Sequence, residues 1–300
     1  MIARVETSSV LGIEAFPVIV EVDVSNGLPS FTIVGLPDTA CRESQSRVRA
    51  AIKNSGFHFP IKKVTVNLAP ADVRKEGSAF DLPIAVGILA ASEQIEFNPL
   101  SNSVFAGELS LDGNLRSIPG VLSRVSGVIQ TGKRFIFPHE NEKEIAFLEN
   151  SQQFPVKNLN EALHPQRSQG RKRNRSGHSR LNGHKERVDF SDVRGQAVAR
   201  RGMEVAAAGG HNLLMVGPPG AGKTMLAKRL PTILSSLSIE ETLETTKVHS
   251  VAGLLKKEQG LIEWPPFRAP HHTVSEEKDL QKTQYGVGAI EFEIIIKCIV

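Results

Sequence analysis

The stretch at residues 213–224 reads LLMVGPPGAGKT and decides the fold class of the second half of the chain. Its last eight residues, 217–224, match the phosphate-loop pattern G-x-x-x-x-G-K-[ST]. The apolar run at 213–216 predicts a buried parallel strand before the loop. We predict a helix from Lys223 to about Leu234 after it. A strand, a glycine-rich loop and a helix in this order favour an α/β P-loop domain.

Each part of this loop has a role in binding a nucleotide. The glycines permit a tight turn that aims backbone N–H groups at a polyphosphate on the helix N-terminus. Lys223 would neutralise the β- and γ-phosphates, and the Thr224 hydroxyl would ligate Mg²⁺. The predicted nucleotide contacts are Gly217, Pro218, Pro219, Gly220, Ala221, Gly222, Lys223 and Thr224.

Length and composition restrict the class of protein. The 300 residues suggest about two domains. A hydrophobic content of 40% and a charged content of 23% are ordinary for a soluble protein. No stretch approaches the roughly 18 apolar residues of a membrane span, and the first residues lack a signal-peptide pattern. The two cysteines, Cys41 and Cys298, have no metal or redox spacing, so we expect a cytoplasmic protein without disulfides.

A strongly basic segment separates the two halves. Residues 165–187 carry a formal charge of +7 in a chain whose total is +4, so the remainder is net acidic. Few of these residues are apolar, which predicts a flexible linker at 164–187. The segment either contacts nucleic-acid phosphates or serves as a solubilising tether. The candidate DNA contacts are Arg171, Lys172, Arg173 and Arg175.

Residues 1–163 alternate short strands and helices, which predicts an α+β domain. The alternating strand at 17–24, the turn at Asn26-Gly27 and a strand at 30–34 indicate a hairpin. A second hairpin is predicted around residues 112–114. The other predicted elements are helices at 39–54, 81–93, 120–131 and 140–149 and strands at 63–68 and 134–137.

The densest signal of this half is residues 67–82, NLAPADVRKEGSAFDL. This loop resembles the one that carries the catalytic serine in the Lon protease domain. A serine nucleophile needs an adjacent base, but Leu122 stands where the Lon lysine would be, and the proximity of Lys75 in sequence is weak support for a dyad. We therefore predict a helix cap near Ser78 or Asp81 and no catalytic residue. The loop serves either in interaction or assembly or in a purely structural role.

Three further strings point to a family. Residues 188–196 read VDFSDVRGQ before a helix predicted at 197–208, like the start of an AAA+ module. Residues 245–253 read TTKVHSVAG, and residues 266–273 read PFRAPHHT. Together with the Lon-like half, these strings resemble the magnesium-chelatase-like AAA+ ATPases of the YifB/ComM family.

The resemblance covers residues 1 to about 275 and implies both fold and function. It implies a Lon-protease-like domain, similar to ribosomal protein S5 domain 2, at 1–163, and a partial AAA+ P-loop domain at 188–275. It also implies a cytoplasmic, hexamer-forming ATPase that uses ATP and Mg²⁺ and is linked to DNA branch migration in transformation. In this family the adenine lies against the segment that here contains Val193, Gly195 and Gln196.

The tail at 276–300 departs from the family pattern. A Walker B strand should end in an Asp-Glu pair that holds Mg²⁺ and orients water, and no such pair follows Thr224. We interpret the tail as out-of-frame or substituted sequence and expect hydrolysis to be impaired. His271 and His272 have no ligand set around them and more plausibly shape a loop than bind a metal.

The leading hypothesis is therefore an ATP-binding AAA+ protein that acts on DNA. One alternative is a non-enzymatic interaction module whose P-loop is inert, and nucleotide affinity separates it from the first. Another is a chelatase-type motor that remodels a protein or metal-insertion complex. Stimulation by DNA, compared with stimulation by a porphyrin-loaded partner, separates that motor from the first hypothesis.

Overall fold

The structure is a computed structural model of the 300-residue chain. It describes residues 2–148, 152–165, 188–255, 260–267 and 297–299. Most of the basic segment, the His271-His272 pair and most of the divergent tail lie outside the described residues. This includes the four candidate DNA contacts.

The chain divides into two compact units. The first comprises the described residues of Met1–Ser176 and of Lys247–Gly260, and the second those of Gly177–Thr246 and Leu261–Val300. The first unit is therefore discontinuous in sequence, because it takes in a segment that follows the phosphate loop. No helix in the described part of the chain is both long enough and apolar enough to span a membrane.

The first unit is an α+β structure. Its strands are β1 (Ile2–Leu11), β2 (Glu14–Ser25), β3 (Ser30–Val34), β4 (Lys63–Ala69), β5 (Ser103–Phe105), β6 (Glu108–Leu109), β7 (Leu115–Arg116), β8 (Arg134–Pro138) and β9 (Gln153–Val156). Its helices are α1 (Thr39–Asn54), α2 (Asp81–Ala91), α3 (Val121–Ile129), α4 (Glu142–Ile145) and α5 (Leu159–Leu163), with 3₁₀ turns at Asn98–Leu100 and His139–Asn141.

Seven of these strands form one mixed sheet in the order β3-β4-β2-β1-β5-β8-β9. The neighbours β4, β2 and β1 are antiparallel, whereas β3 runs parallel to β4. On the other side, β1, β5, β8 and β9 are all parallel. The remaining strands, β6 and β7, form a separate antiparallel pair, so the predicted hairpin around residues 112–114 is confirmed.

The hairpin predicted from residues 17–24 and 30–34 is wrong. Strand β3 pairs in parallel with β4 instead, and β2 pairs with β4 and with β1. In this register Val20 lies between Leu68 and Val5. The connection between β2 and β3 is longer than a two-residue turn, so the Asn-Gly signal does not force the strands together. Strand β1, which was not predicted from the sequence, is the antiparallel neighbour of β2 in the place predicted for β3.

Helix α2 forms the centre of the core. All eleven of its residues are buried, because its sequence is apolar on every side after Asp81. It lies against β1 and β2, where a Cβ atom added at Gly87 would come within 2.6 Å of Val22 Cγ2 and 3.5 Å of Val5 Cγ2. Glycine at this position therefore lets the helix approach the sheet closely.

The buried start of α2 carries a carboxylate. Asp81 accepts two hydrogen bonds from the Arg47 guanidinium, at 2.6 and 3.0 Å, and one from the Leu109 N–H at 3.2 Å. Burial raises the pKa of Asp81 to about 6, and the Arg47 charge opposes that rise. The pair is bidentate, the geometry in which Arg and a carboxylate interact most strongly.

The cap predicted at Ser78 or Asp81 is wrong. The N-cap residue of α2 is Phe80, which makes no side-chain cap bond. The Ser78 hydroxyl instead donates to the Glu108 carboxylate, so a neighbouring strand rather than the helix determines its orientation. Leu122 is fully buried in a hydrophobic cluster, and its side chain offers no base.

A second buried carboxylate, Glu144, connects the two sequence segments of the first unit. It accepts hydrogen bonds from the Leu122 N–H at 2.8 Å and from the Ser250 hydroxyl. The Gly120 N–H in turn donates to the Ser250 carbonyl at 3.2 Å. Burial raises the pKa of Glu144, while these donors oppose the rise because they favour the carboxylate. Ser250 therefore completes a polar network whose other members precede the basic segment.

The second unit is smaller. Its elements are a 3₁₀ turn (Phe190–Asp192), α6 (Ala197–Gly209), β10 (Leu214–Val216), α7 (Lys223–Ala227), a 3₁₀ turn (Leu230–Ile233), α8 (Ile239–Val251, which passes into the first unit at Lys247) and β11 (Lys297–Ile299). Its buried hydrophobic cluster consists of Phe190, Val193, Met203, Leu226 and Leu230.

Two predictions for this unit are corrected. The helix expected to reach Leu234 ends as α7 at Ala227, and a 3₁₀ turn with Pro231 in its first turn follows. Proline lacks the N–H that a continuing helix needs. Strand β10 pairs in parallel with β11, but Leu214 and Val216 are 58% and 74% exposed, so the strand is not buried.

The ammonium group of Lys75 is buried and makes no hydrogen bond to any described residue. The side chain is fully buried, and its Nζ has no hydrogen bond in the described part of the chain. Its backbone N–H donates to the Leu36 carbonyl at 3.1 Å, and its carbonyl accepts from the Asp38 N–H at 3.0 Å. This backbone pairing fixes the residue in the interior. Burial lowers the pKa of Lys75, because loss of hydration disfavours the charged form.

We expect Lys75→Met to raise the free energy of unfolding at neutral pH by about 1–3 kcal/mol, the cost of a buried unpaired donor. Wild-type stability should also rise with pH below the ordinary lysine value of 10.5, because the folded chain releases the Lys75 proton at lower pH than the unfolded chain. Urea unfolding at several pH values measures both effects. Lys62→Met, at an exposed lysine, is the control. A destabilised Lys75→Met variant with the wild-type pH dependence would contradict the prediction.

Candidate nucleotide-binding site

The phosphate loop connects β10 to α7. Gly220 and Gly222 have φ values of +82° and +83°, in the left-handed region that side chains strain. Gly222 is also the N-cap residue of α7. Two of the three glycines at 217–222 thus occupy left-handed positions of the turn, and Gly217 does not.

Lys223, the first residue of α7, bends back over its own loop. Its Nζ donates to the Gly217 carbonyl at 2.6 Å and to the Pro218 carbonyl at 3.1 Å. Thr224 follows it and is exposed. The loop therefore holds one ammonium group at its centre and one accessible hydroxyl at the start of the helix.

The segment before α6 is anchored to the residues that follow the loop. The Phe190 N–H donates to the Thr232 hydroxyl at 3.1 Å, and the Arg229 guanidinium lies 3.5 Å from the Asp192 carboxylate. Arg229 also donates to the Met225 carbonyl at 3.1 Å. These bonds keep the two sequence stretches that flank the loop in one local framework.

Of the three residues assigned to the adenine by resemblance, the structure brings one to the loop. The Val193 side chain is 1% exposed and packs in the hydrophobic cluster. Gly195 is exposed and has a φ of +71°. Gln196 has a φ of +51°, and its Nε2 donates to the Ala221 carbonyl at 3.1 Å.

Sequence reasoning missed the contacts that position this loop from outside. Neither the Gln196–Ala221 bond nor the Arg229–Asp192 pair follows from the phosphate-loop pattern, which describes only residues 217–224. The VRGQ string indicated proximity to a nucleotide, and it carried no sign that the glutamine reaches the loop backbone. The described ranges contain no group of three His, Cys, Asp or Glu side chains that could hold a metal ion.

Comparison with known families gives two matches that together span both units. The model named "Subunit ChlI of Mg-chelatase" matches residues 20–141. The model named "Magnesium chelatase, subunit ChlI" matches residues 189–280. The second match includes the phosphate loop and the segment around Gln196.

Individual relatives lead to the same family as these two matches. The chain is 44% identical to the uncharacterised protein YifB of Escherichia coli over 276 residues, 90% of this chain and 53% of YifB. It is 40% identical to the competence protein ComM of Haemophilus influenzae over 280 residues, 91% of this chain and 54% of ComM. The chain is a YifB/ComM-like member of the magnesium chelatase family. It spans about half the length of the curated relatives it matches.

A more distant relative supports the Lon-like character of the family member. The chain is 27% identical to the archaeal Lon protease of Archaeoglobus fulgidus over 186 residues, 58% of this chain and 30% of that protein. The mixed sheet with parallel strands is consistent with this similarity.

Proposed function

We propose that this chain binds ATP with Mg²⁺ at residues 217–224, as a member of an ATPase-like family that assembles into hexamers. The observation that carries the proposal is the position of Lys223 Nζ, within 2.6 and 3.1 Å of two carbonyl oxygens of the loop. A lysine held there lies where a polyphosphate would rest on the helix N-terminus.

The charges explain why ATP would displace the present contacts. Lys223 now donates to neutral carbonyl oxygens, whereas phosphate oxygens carry negative charge and form stronger, charge-assisted hydrogen bonds. The ammonium would therefore turn from Gly217 and Pro218 to the β- and γ-phosphates. The exposed Thr224 hydroxyl would supply one ligand to the Mg²⁺ that the nucleotide brings.

We expect Lys223→Ala to abolish ATP binding, because it removes the cation placed at the phosphates. Titration of the 300-residue chain with a fluorescent ATP analogue measures the affinity. Lys228→Ala is the matched control, since Lys228 is exposed and follows the same helix. Lys223→Ala with wild-type affinity would show that the loop is not the binding site.

ATP turnover by this chain should be slow. The phosphate loop supplies groups that bind the ground state, whereas hydrolysis also needs a carboxylate that positions water and an arginine that stabilises the transition state. Such an arginine alone is worth roughly 10³–10⁵ in rate. The sequence after Thr224 contains no Asp-Glu pair. We expect this chain to release phosphate far more slowly than a relative that has an Asp-Glu pair. A steady-state assay measures both rates, and a rate within a few-fold of that of the relative would overturn the prediction.

We also propose that DNA contacts the chain through the basic segment. The specific observation is its formal charge of +7, concentrated in residues 165–187 of a chain that is otherwise net acidic. Lysine and arginine that neutralise phosphates release counterions, so the resulting affinity depends steeply on salt. Any role in DNA processing would begin with this contact.

The segment can be tested by replacing four of its cations with glutamine. We expect the slope of log affinity against log salt to fall in magnitude by about 3 to 4, because each phosphate contact contributes about 0.9. Fluorescence anisotropy with a labelled duplex measures the slope. The replaced residues are Arg171, Lys172, Arg173 and Arg175, and the control replaces the exposed residues Arg42, Lys53, Lys62 and Lys63. Equal slopes for the two variants would contradict the assignment.

A further inference from the structure

Gln196 has a backbone conformation that glutamine rarely adopts. Gly195 and Gln196 are consecutive left-handed residues, with φ values of +71° and +51°. For a residue with a side chain this costs roughly 1–2 kcal/mol. Within the described part of the chain, Leu36 and Glu93 are the other non-glycine residues with positive φ. A strained residue beside a candidate site suggests that its conformation serves the site.

The side chain of Gln196 is directed at the phosphate loop. Gln196 is the N-cap residue of α6 and makes no side-chain cap bond to that helix. Its Nε2 donates instead to the Ala221 carbonyl at 3.1 Å. A Cβ atom added at Gly222 would lie 3.2 Å from the same nitrogen, so the amide lies against two consecutive loop residues.

The bond fixes the orientation of one peptide group in the loop. The peptide between Ala221 and Gly222 is planar and trans, so its C=O and N–H point in opposite directions. Holding the Ala221 oxygen toward Gln196 therefore directs the Gly222 N–H away from it. The Ala221 N–H donates to the Pro218 carbonyl at 3.2 Å, so the same residue is restrained on both sides.

We propose that Gln196 is a positioning residue that fixes the phosphate loop for the polyphosphate, rather than a residue that reads the nucleotide base. The inference rests on the proposed function, ATP binding at residues 217–224. It predicts that removing the amide lowers the affinity of the chain for every polyphosphate ligand by the same factor. A base contact would instead change the preference between ATP and GTP.

Two substitutions isolate the amide. Gln196→Gly removes it and relieves the backbone strain, because glycine adopts positive φ without cost. Gln196→Glu keeps the length but places a carboxylate, which cannot donate, against the Ala221 carbonyl. Val198→Ala is the control, because Val198 is 89% exposed in the first turn of α6. Thermal unfolding of each variant checks that the second unit remains folded.

The 300-residue chain and its variants are titrated with ATP, GTP and inorganic tripolyphosphate. For Gln196→Gly we expect all three affinities to fall together by about 3- to 10-fold, the loss of one hydrogen bond. The fall should be at least as large for Gln196→Glu, and Val198→Ala should bind as wild type. Unchanged tripolyphosphate affinity with an altered ATP-to-GTP ratio would overturn the proposal in favour of a base contact. Unchanged affinity for all three ligands would also overturn it.

Lys223→Ala in the same titrations separates this inference from the proposed function. If Lys223→Ala abolishes binding while Gln196→Gly leaves it unchanged, only the role of Gln196 fails. If the wild-type chain binds neither ATP nor tripolyphosphate, both proposals fail together.

Discussion

The ion pair between Arg47 and Asp81 is the interaction on which the first unit depends. Helix α2 is buried from its first residue, so a carboxylate enters the core with it. An unpaired buried charge costs several kcal/mol, which would favour withdrawing the helix end toward water. Arg47 from α1 and the Leu109 N–H from β6 satisfy the carboxylate where it lies. The same pair therefore joins two helices and a strand while the apolar remainder of α2 fills the core.

Local features of this fold could be predicted from sequence, and non-local ones could not. Helix α1 was predicted over the residues it occupies, 39–54, because the Ser55-Gly56 pair that ends it follows directly in the sequence. The pairing of β3 was mispredicted because its partner, β4, lies about thirty residues further along the chain. The Asn-Gly pair predicts a turn, but it does not indicate which strand pairs with β3. The exposure of β10 was missed for a related reason, since the burial of a strand depends on what covers it.

In the candidate site, too, the local features could be predicted from sequence and the non-local contacts could not. The eight-residue motif predicted where the loop would lie and which lysine it would contain. Its contact with Gln196 joins residues 25 positions apart and depends on two consecutive left-handed residues. Val193 was assigned to the adenine by resemblance, and the structure packs its side chain in the hydrophobic cluster of the second unit. The resemblance named the segment at 193–196, but it did not indicate that Val193 packs in the interior while Gln196 bonds to the loop.

Because the first unit is discontinuous in sequence, one part of it is synthesised long after the rest, and this delays the completion of its folding. Glu144 and its donor Ser250 are 106 residues apart. A ribosome adding about 5–20 residues per second would make Ser250 roughly 5 to 20 s after Glu144. For most of that interval, once β9 has been made, the nascent first unit has every strand of its sheet and α2 but lacks the hydroxyl that completes the Glu144 network. Co-translational folding of this chain would therefore end only after the phosphate loop has also been translated.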